Sequence, residues 1–277
     1  MAKIRGLSQL LEKYDTFLID LYGVVHDGQK LFDTVNELIN KLLAEGKQVI
    51  YFSNNPRPKE FSLNKLKDIG AQVEGTDIVT SGDVFIDDIK RHQVFTQYEG
   101  KAYVLGPGVN PDLIKAMEGE GVTFTNQVEE ADFLILLAFI EEGDDAEQYD
   151  QELKVAAARQ LPALVPNPDI MAPHGDAMRY TSGFFAKKYE SFGGKCYYYG
   201  KPHRSIYEYA LGEDGAIENT RVLAIGDGLN TDIEGAHRMG IDSVLILSGL
   251  LKNMKNIDEI LLASPVKPTY ILERLKL

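Results

Sequence analysis

Apolar and polar positions along the chain switch between two periods. Residues 16–21 (TFLIDL) form a nearly unbroken apolar run, the pattern of a strand buried on both faces. Residues 33–45 then place Val35, Leu38, Ile39 and Leu42 on one helical face, and Gly46 sits where a helix C-cap belongs. Residues 48–52 (QVIYF) predict the next strand, and 58–69 predict a helix that stops at Gly70. Strand, helix, strand, helix is the order of a parallel sheet covered by helices. The order continues with strands at 101–105, 133–137, 163–165, 196–199, 221–225 and 243–247. Helices are predicted at 111–118, 150–159, 205–211 and 231–239. The opening stretch MAKIRGLSQLLEKYD reads as a short amphipathic helix. No linker, low-complexity tract or internal repeat stands out, so composition draws no domain boundary.

Composition narrows the chemistry. The 277 residues are 44% hydrophobic and 26% charged, and the net charge is −13, so a polyanionic backbone is a poor partner and nucleic-acid binding is not expected. A single cysteine, Cys196, excludes an intramolecular disulfide and an all-cysteine zinc site. No apolar run approaches the ~18 residues that would span a bilayer, and the N-terminus lacks a secretory apolar stretch, so the expectation is a cytoplasmic protein without membrane contact.

In an open α/β sheet, chemistry gathers beyond the C-terminal ends of the strands. Asp20 closes the first predicted strand and Ser53-Asn54-Asn55 follow the second. Lys201-Pro202 follow CYYYG, and Asp227-Gly228 with Thr231-Asp232 follow RVLAIG. Singly, these are a turn cap, turn chemistry before Pro56, a surface lysine and an N-cap. Together they supply carboxylates suited to Mg²⁺, a hydroxyl and amides suited to phosphate, and one ammonium. A carboxylate beside such a site can act as nucleophile once its charge is neutralised.

The series Asp20, Ser53-Asn54, Lys201-Pro202, Gly226-Asp227 and Thr231-Asp232 resembles the four motifs of the haloacid dehalogenase superfamily of aspartate-nucleophile phosphatases. The stretch Tyr51-Phe52-Ser53-Asn54-Asn55, the triplet Asn167-Pro168-Asp169 and Gly200-Lys201-Pro202 are similar to its class IIA branch, which includes pyridoxal phosphate, nitrophenyl phosphate and sugar phosphatases. The resemblance implies a doubly wound, parallel-sheet α/β core with a smaller inserted α/β cap. On that pattern the core takes residues 1–81 and 181–277, and the cap takes 82–180. Asp20 would attack phosphorus. Ser53, Asn54 and Asn55 would hold the phosphate, and Lys201 would neutralise it. Asp20, Asp227 and the backbone carbonyl of Tyr22 would ligate Mg²⁺, with Asp232 supporting them. The substrate would be a small phosphorylated metabolite, and a homo-oligomer is open to such a chain.

One position departs from the pattern. Most phosphatases of the superfamily carry a second Asp two residues after the nucleophile, where this chain has Tyr22. The backbone carbonyl survives that exchange but the carboxylate does not. General acid–base catalysis typically supplies ~10²–10⁴-fold in rate, and a phenol with a reference pKa of ~10 can donate a proton near neutrality but rarely accept one. Three readings follow: a slow phosphatase or one suited to good leaving groups, a phosphatase whose proton work falls to His26, and a binding protein that has lost turnover. The histidines His26, His92, His174, His203 and His237 form no close ligand pattern, so zinc is not expected. Gly226 and Gly228 make only a partial dinucleotide fingerprint, since Thr231 replaces the third glycine. The Asn167–His174 stretch is expected to lie near the core–cap hinge and to shape the substrate pocket.

Overall fold

The computed structural model describes residues 1–91, 100–106, 110–141, 143–174, 177–212, 221–252 and 254–277. His92 lies outside the described residues, as do positions 107–109 and 142. The chain divides into two compact units. One comprises Met1–Ser53, Lys59–Val79 and Lys201–Leu277, the other Asn54–Pro58 and Thr80–Gly200.

The first unit is built on a seven-stranded sheet. Its spatial order is Ala2–Lys3, Tyr270–Leu272, Asp242–Ile246, Val222–Gly226, Thr16–Ile19, Gln48–Ser53 and Asp77–Thr80. The central pairings are parallel, with Ile19 opposite both Ile225 and Tyr51. Thr16–Ile19 and Val222–Gly226 are buried along their whole length, as central strands covered on both faces must be. Helix Val35–Ala44 lays Val35, Leu38, Ile39 and Leu42 on the same core as Phe17, Ile19, Val49 and Tyr51.

The N-terminus corrects the expectation of a helix. Residues Ala2–Lys3 pair in parallel with Tyr270–Ile271, and only Leu7–Gln9 makes a single 3-10 turn. The Leu7 N–H donates to Lys276 O at 2.9 Å, and a Cβ on Gly6 would fall 1.9 Å from Leu277 O. Sheet pairing and the C-terminal backbone therefore take the groups a helix would have used. The helical spacing of Leu7, Leu10, Leu11 and Tyr14 survives as four buried side chains.

The second unit carries a parallel sheet in the order Lys195–Tyr198, Pro162–Val165, Phe133–Leu136, Lys101–Leu105 and Thr123–Thr125. A three-stranded antiparallel sheet joins Met171–His174, Ala177–Tyr180 and Ile140–Glu141. Helix Ser182–Ser191 packs Phe185, Ala186 and Tyr189 into this unit's core with Leu134, Leu136, Ala163 and Val165. The sequence boundary at residue 180 is thus moved: residues 181–200 belong to the second unit, because both helix and strand bury their apolar faces there. Helix Ser81–Lys90 escaped the periodicity reading. Its signal is a capping box, with the Thr80 hydroxyl accepting from Asp83 N–H at 3.1 Å while the Asp83 carboxylate accepts from Thr80 N–H at 3.1 Å.

Candidate active site

The site grows out of two adjacent strand ends. The Asp20 N–H donates to Ile225 O at 2.9 Å, which extends the ladder of Thr16–Ile19 by one residue and leaves the Asp20 side chain at the rim. Val222–Gly226 ends beside it at Asp227. Parallel strands put both ends on one side of the sheet, so two carboxylates more than two hundred positions apart meet. The loop after Asp20 is fixed by Val24 and Val25, which are buried in the core, and by Gly23 N–H to His26 O at 2.8 Å.

Lys201 ties the cluster together. Its Nζ donates to Asp20 Oδ1 at 2.5 Å, to Asp232 Oδ1 at 2.7 Å and to Phe52 O at 3.0 Å. Asp20, Lys201, Asp227 and Asp232 are all buried. One oxygen from each of the three aspartates lies within 4.8 Å of the others. Three buried carboxylates around one ammonium leave negative charge in excess. Burial and the neighbouring carboxylates push Asp20 well above the usual carboxylate range, against the pull of Lys201. Burial and Asp232 push Asp227 up to about 7. Attraction from Asp20 and Asp232 outweighs desolvation at Lys201 and holds its ammonium above the ordinary lysine range.

The two remaining aspartates are held differently. Asp232 Oδ1 accepts from Lys201, and its Oδ2 accepts from Gly228 N–H at 3.1 Å and the Thr231 hydroxyl at 3.2 Å. It sits in a π-helical turn, Leu229–Ile233, ahead of helix Glu234–Arg238. Asp227 Oδ2 accepts from Leu250 N–H at 2.8 Å. Gly23 and Gly249 flank that oxygen so closely that a Cβ would fall 2.1 Å and 1.9 Å from it, and Gly23 also needs its φ of +79°. Among the described residues, no other residue bonds Asp20 Oδ2 or Asp227 Oδ1. Each aspartate therefore keeps an oxygen for a ligand.

The other sequence-predicted residues have contacts of their own. His26 is buried, and its Nδ1 accepts from Gly28 N–H at 2.9 Å. Burial, with the charge of Lys65, holds its imidazole down at about 4. The Tyr22 ring meets that imidazole edge-on at 5.9 Å, and burial beside Asp27 and Asp227 raises its phenol. Ser53 ends the strand next to Asp20 and directly follows Phe52, whose carbonyl anchors Lys201. The Asn54 and Asn55 side chains are engaged elsewhere. Asn54 Nδ2 donates to Asp169 Oδ1 at 2.7 Å, and Asn55 Oδ1 accepts from Arg57 N–H at 3.0 Å.

Lys201 itself needs a correction. The strand before it, Lys195–Tyr198, lies in the second unit's sheet, so Lys201 does not end a core strand. It joins the first unit as the chain re-enters it. Sequence reading also missed Tyr207. It is fully buried, its ring packs against Phe52 at 4.9 Å, and burial near Asp232 raises its phenol. A Cβ on Gly235 would fall 2.2 Å from its hydroxyl.

Two family models match the chain, haloacid dehalogenase-like hydrolase over residues 17–123 and a second of the same kind over 198–276. Together they span well over half of it and contain every member of the carboxylate–lysine cluster. The chain belongs to the haloacid dehalogenase-like hydrolases. A haloacid dehalogenase-like hydrolase from Brucella suis superposes with a TM-score of 0.83 at 27% identity, covering 98% of this chain and 99% of the other. Sugar-phosphatase AraL of Bacillus subtilis is 28% identical over 94% of this chain and 90% of its own. Ribonucleotide monophosphatase NagD of Escherichia coli is 26% identical over 92% of this chain and 94% of its own. For this hydrolase, the fold and the parallel-sheet core expected from the sequence are present. Among the described residues no helix is long and apolar enough to cross a membrane.

Proposed function

We propose that this protein is a Mg²⁺-dependent phosphatase that hydrolyses small phosphoric monoesters, sugar phosphates foremost, through an aspartyl-phosphate on Asp20. The observation that carries the reading is the buried Lys201–Asp20 contact inside a cluster with surplus negative charge. That surplus, the Asp227 Oδ1 that no other residue bonds and the lone pair left on Asp20 Oδ1 beside Lys201 fit a divalent cation with oxygen ligands. Asp20, Asp227 and the Tyr22 carbonyl would hold it, while Asp232 steadies Lys201. When bound, Mg²⁺ would neutralise the carboxylates and polarise the phosphoryl oxygens. The names of AraL and NagD, a sugar-phosphatase and a ribonucleotide monophosphatase, support the substrate class.

Lys201 occupies Asp20 Oδ1, which leaves Oδ2 to attack phosphorus. The Oδ2–P bond forms as the P–O bond to the leaving group breaks, and the departing oxygen takes a proton. The Ser53 hydroxyl, with backbone amides at Asn54 and Asn55, supports the transferred phosphoryl group. Water then cleaves the aspartyl-phosphate. The Tyr22 phenol, raised above its ordinary range, stays protonated and can donate but cannot act as a base. A good leaving group needs no acid, whereas hydrolysis of the intermediate lacks its base.

The expected kinetic signature is a burst. With 4-nitrophenyl phosphate, one equivalent of 4-nitrophenol per site should appear quickly, followed by slow turnover. Tyr22→Asp should abolish the burst and raise steady-state turnover by about tenfold or more. Stopped-flow absorbance checks this, and a burst-free wild type with an inert Tyr22→Asp would count against the assigned role. A second reading, a phosphometabolite-binding protein without turnover, is favoured by Tyr22 alone. The deciding assay measures phosphate release from sugar phosphates, nucleoside monophosphates, pyridoxal phosphate and 4-nitrophenyl phosphate, with and without Mg²⁺, for wild type and Asp20→Asn. Equal rates for the two proteins would remove the enzyme reading.

A further inference from the structure

The second unit contains a short internal repeat that the sequence reading overlooked. Asn55-Pro56-Arg57 with Thr80-Ser81-Gly82 forms one bracket, and Asn167-Pro168-Asp169 with Thr181-Ser182-Gly183 forms another. In each, the asparagine side-chain oxygen accepts from the backbone N–H two residues on, at 3.0 Å for Arg57 and 3.0 Å for Asp169. In each, the threonine hydroxyl donates to the carbonyl of that third residue. In each, the glycine packs on the proline carbonyl so tightly that a Cβ would fall 2.4 Å from Pro56 O or 2.1 Å from Pro168 O. Both brackets open a helix, Ser81–Lys90 and Ser182–Ser191.

They differ in what the third residue does with its side chain. Arg57 reaches Asp112 at 2.6 Å, whereas Asp169 Oδ1 accepts from Asn54 Nδ2 at 2.7 Å. A bracket that closes equally well on arginine does not need a carboxylate for its own geometry. The acid at 169 therefore acts outward, on Asn54. Asn54 is buried, and a Cβ on Gly200 would fall 2.4 Å from its Oδ1 and 2.6 Å from Pro168 Cδ. Asn54 is thus clamped between a carboxylate and a bare backbone. It directly follows Ser53, and Gly200 directly precedes Lys201. Asn54, Pro168, Asp169 and Gly200 all belong to the second unit.

We propose that Asp169 is a positioning residue for phosphate binding: by holding the Asn54 side chain against Gly200 it fixes the backbone direction at Ser53-Asn54 and at Lys201. With its side chain committed, Asn54 can offer phosphate only a backbone N–H of set orientation. A charge-assisted bond to a buried amide is strong enough to hold that orientation. The phosphate ligand in this inference rests on the phosphatase reading.

The test uses the full chain with Mg²⁺, 4-nitrophenyl phosphate as substrate and inorganic phosphate as inhibitor. Asp169→Ala should raise KM and the phosphate inhibition constant by about tenfold, with a smaller change in kcat. Asp169→Asn, which keeps an acceptor, should restore both to within about twofold. Asn54→Ala combined with Asp169→Ala should be no worse than either alone, because both break one contact. Wild-type constants in a folded Asp169→Ala, or losses that multiply in the double variant, overturn the proposal. If Asp169→Ala does not fold, Gly200→Ala disturbs the same clamp from its other side and should give the same rise. If the wild type turns nothing over, the phosphatase reading fails, and calorimetric binding of inorganic phosphate decides this one instead. Weaker phosphate binding by Asp169→Ala than by wild type supports it. Equal binding, or none to wild type, overturns it.

Discussion

Asp20→Asn is expected to bring turnover of every phosphate ester to background, a loss of about 10³-fold or more, while the protein stays folded. The amide is nearly isosteric but cannot attack phosphorus. Its effect on stability should have the opposite sign from its effect on activity. Asp20 is pushed well above the usual carboxylate range by burial and by Asp232 and Asp227. A carboxylate with a raised folded pKa destabilises the fold once it ionises, so its contribution is lost as pH rises. Replacing it with an amide removes one of three converging negative charges and keeps an acceptor for Lys201. Thermal denaturation without metal at pH 8 should give a melting temperature no lower than wild type, and the stabilisation by Mg²⁺ should shrink. Retained turnover would refute the nucleophile assignment. A large loss of stability would mean that the Lys201–Asp20 pair outweighs the repulsion.

Lys201→Met should be the most damaging substitution to the fold. The ammonium is buried and holds Asp20, Asp232 and the Phe52 carbonyl at once. Its removal leaves three carboxylates within 4.8 Å with no cation among them. Leaving buried charge unpaired costs about 3–5 kcal/mol. The sign with pH follows from the carboxylates. Asp227 is already pushed to about 7, and losing Lys201 raises it and Asp20 further. Stability should therefore be closest to wild type near pH 5.5, below the value of about 7 to which Asp227 is pushed, and fall as pH rises through 7 to 8. Urea denaturation at the two pH values reads the difference, and Mg²⁺ at pH 8 should recover part of it. A deficit below about 1 kcal/mol that is the same at both pH values would show that the cluster is not electrostatically coupled.

The parts of the site that were legible in the sequence are those where local pattern and chemistry coincide. Asp20 and Asp227 close apolar runs, and apolar runs buried on both faces are central parallel strands. Asp232 was legible as part of a turn ahead of a helix, although the bonds that Gly228 and Thr231 donate to its carboxylate exist only in the folded chain. The bond that His26 Nδ1 accepts from Gly28 N–H is local, two residues away in the chain. Asn54 was legible as a motif position, yet its side chain answers to Asp169, 115 positions on. No local rule contains that contact.

By itself the sequence determined the alternation of strands and helices, the parallel core and the residue types gathered at its strand ends, because periodicity and strand termination are written within a few residues. Only the tertiary structure decided which sheet each strand joins, why the N-terminus pairs instead of coiling, and how one lysine comes to hold two aspartates. Burial and pairing depend on neighbours distant in the chain. The strand Lys195–Tyr198 has the same apolar pattern as a core strand, and its place was decided by the partner it found in Pro162–Val165.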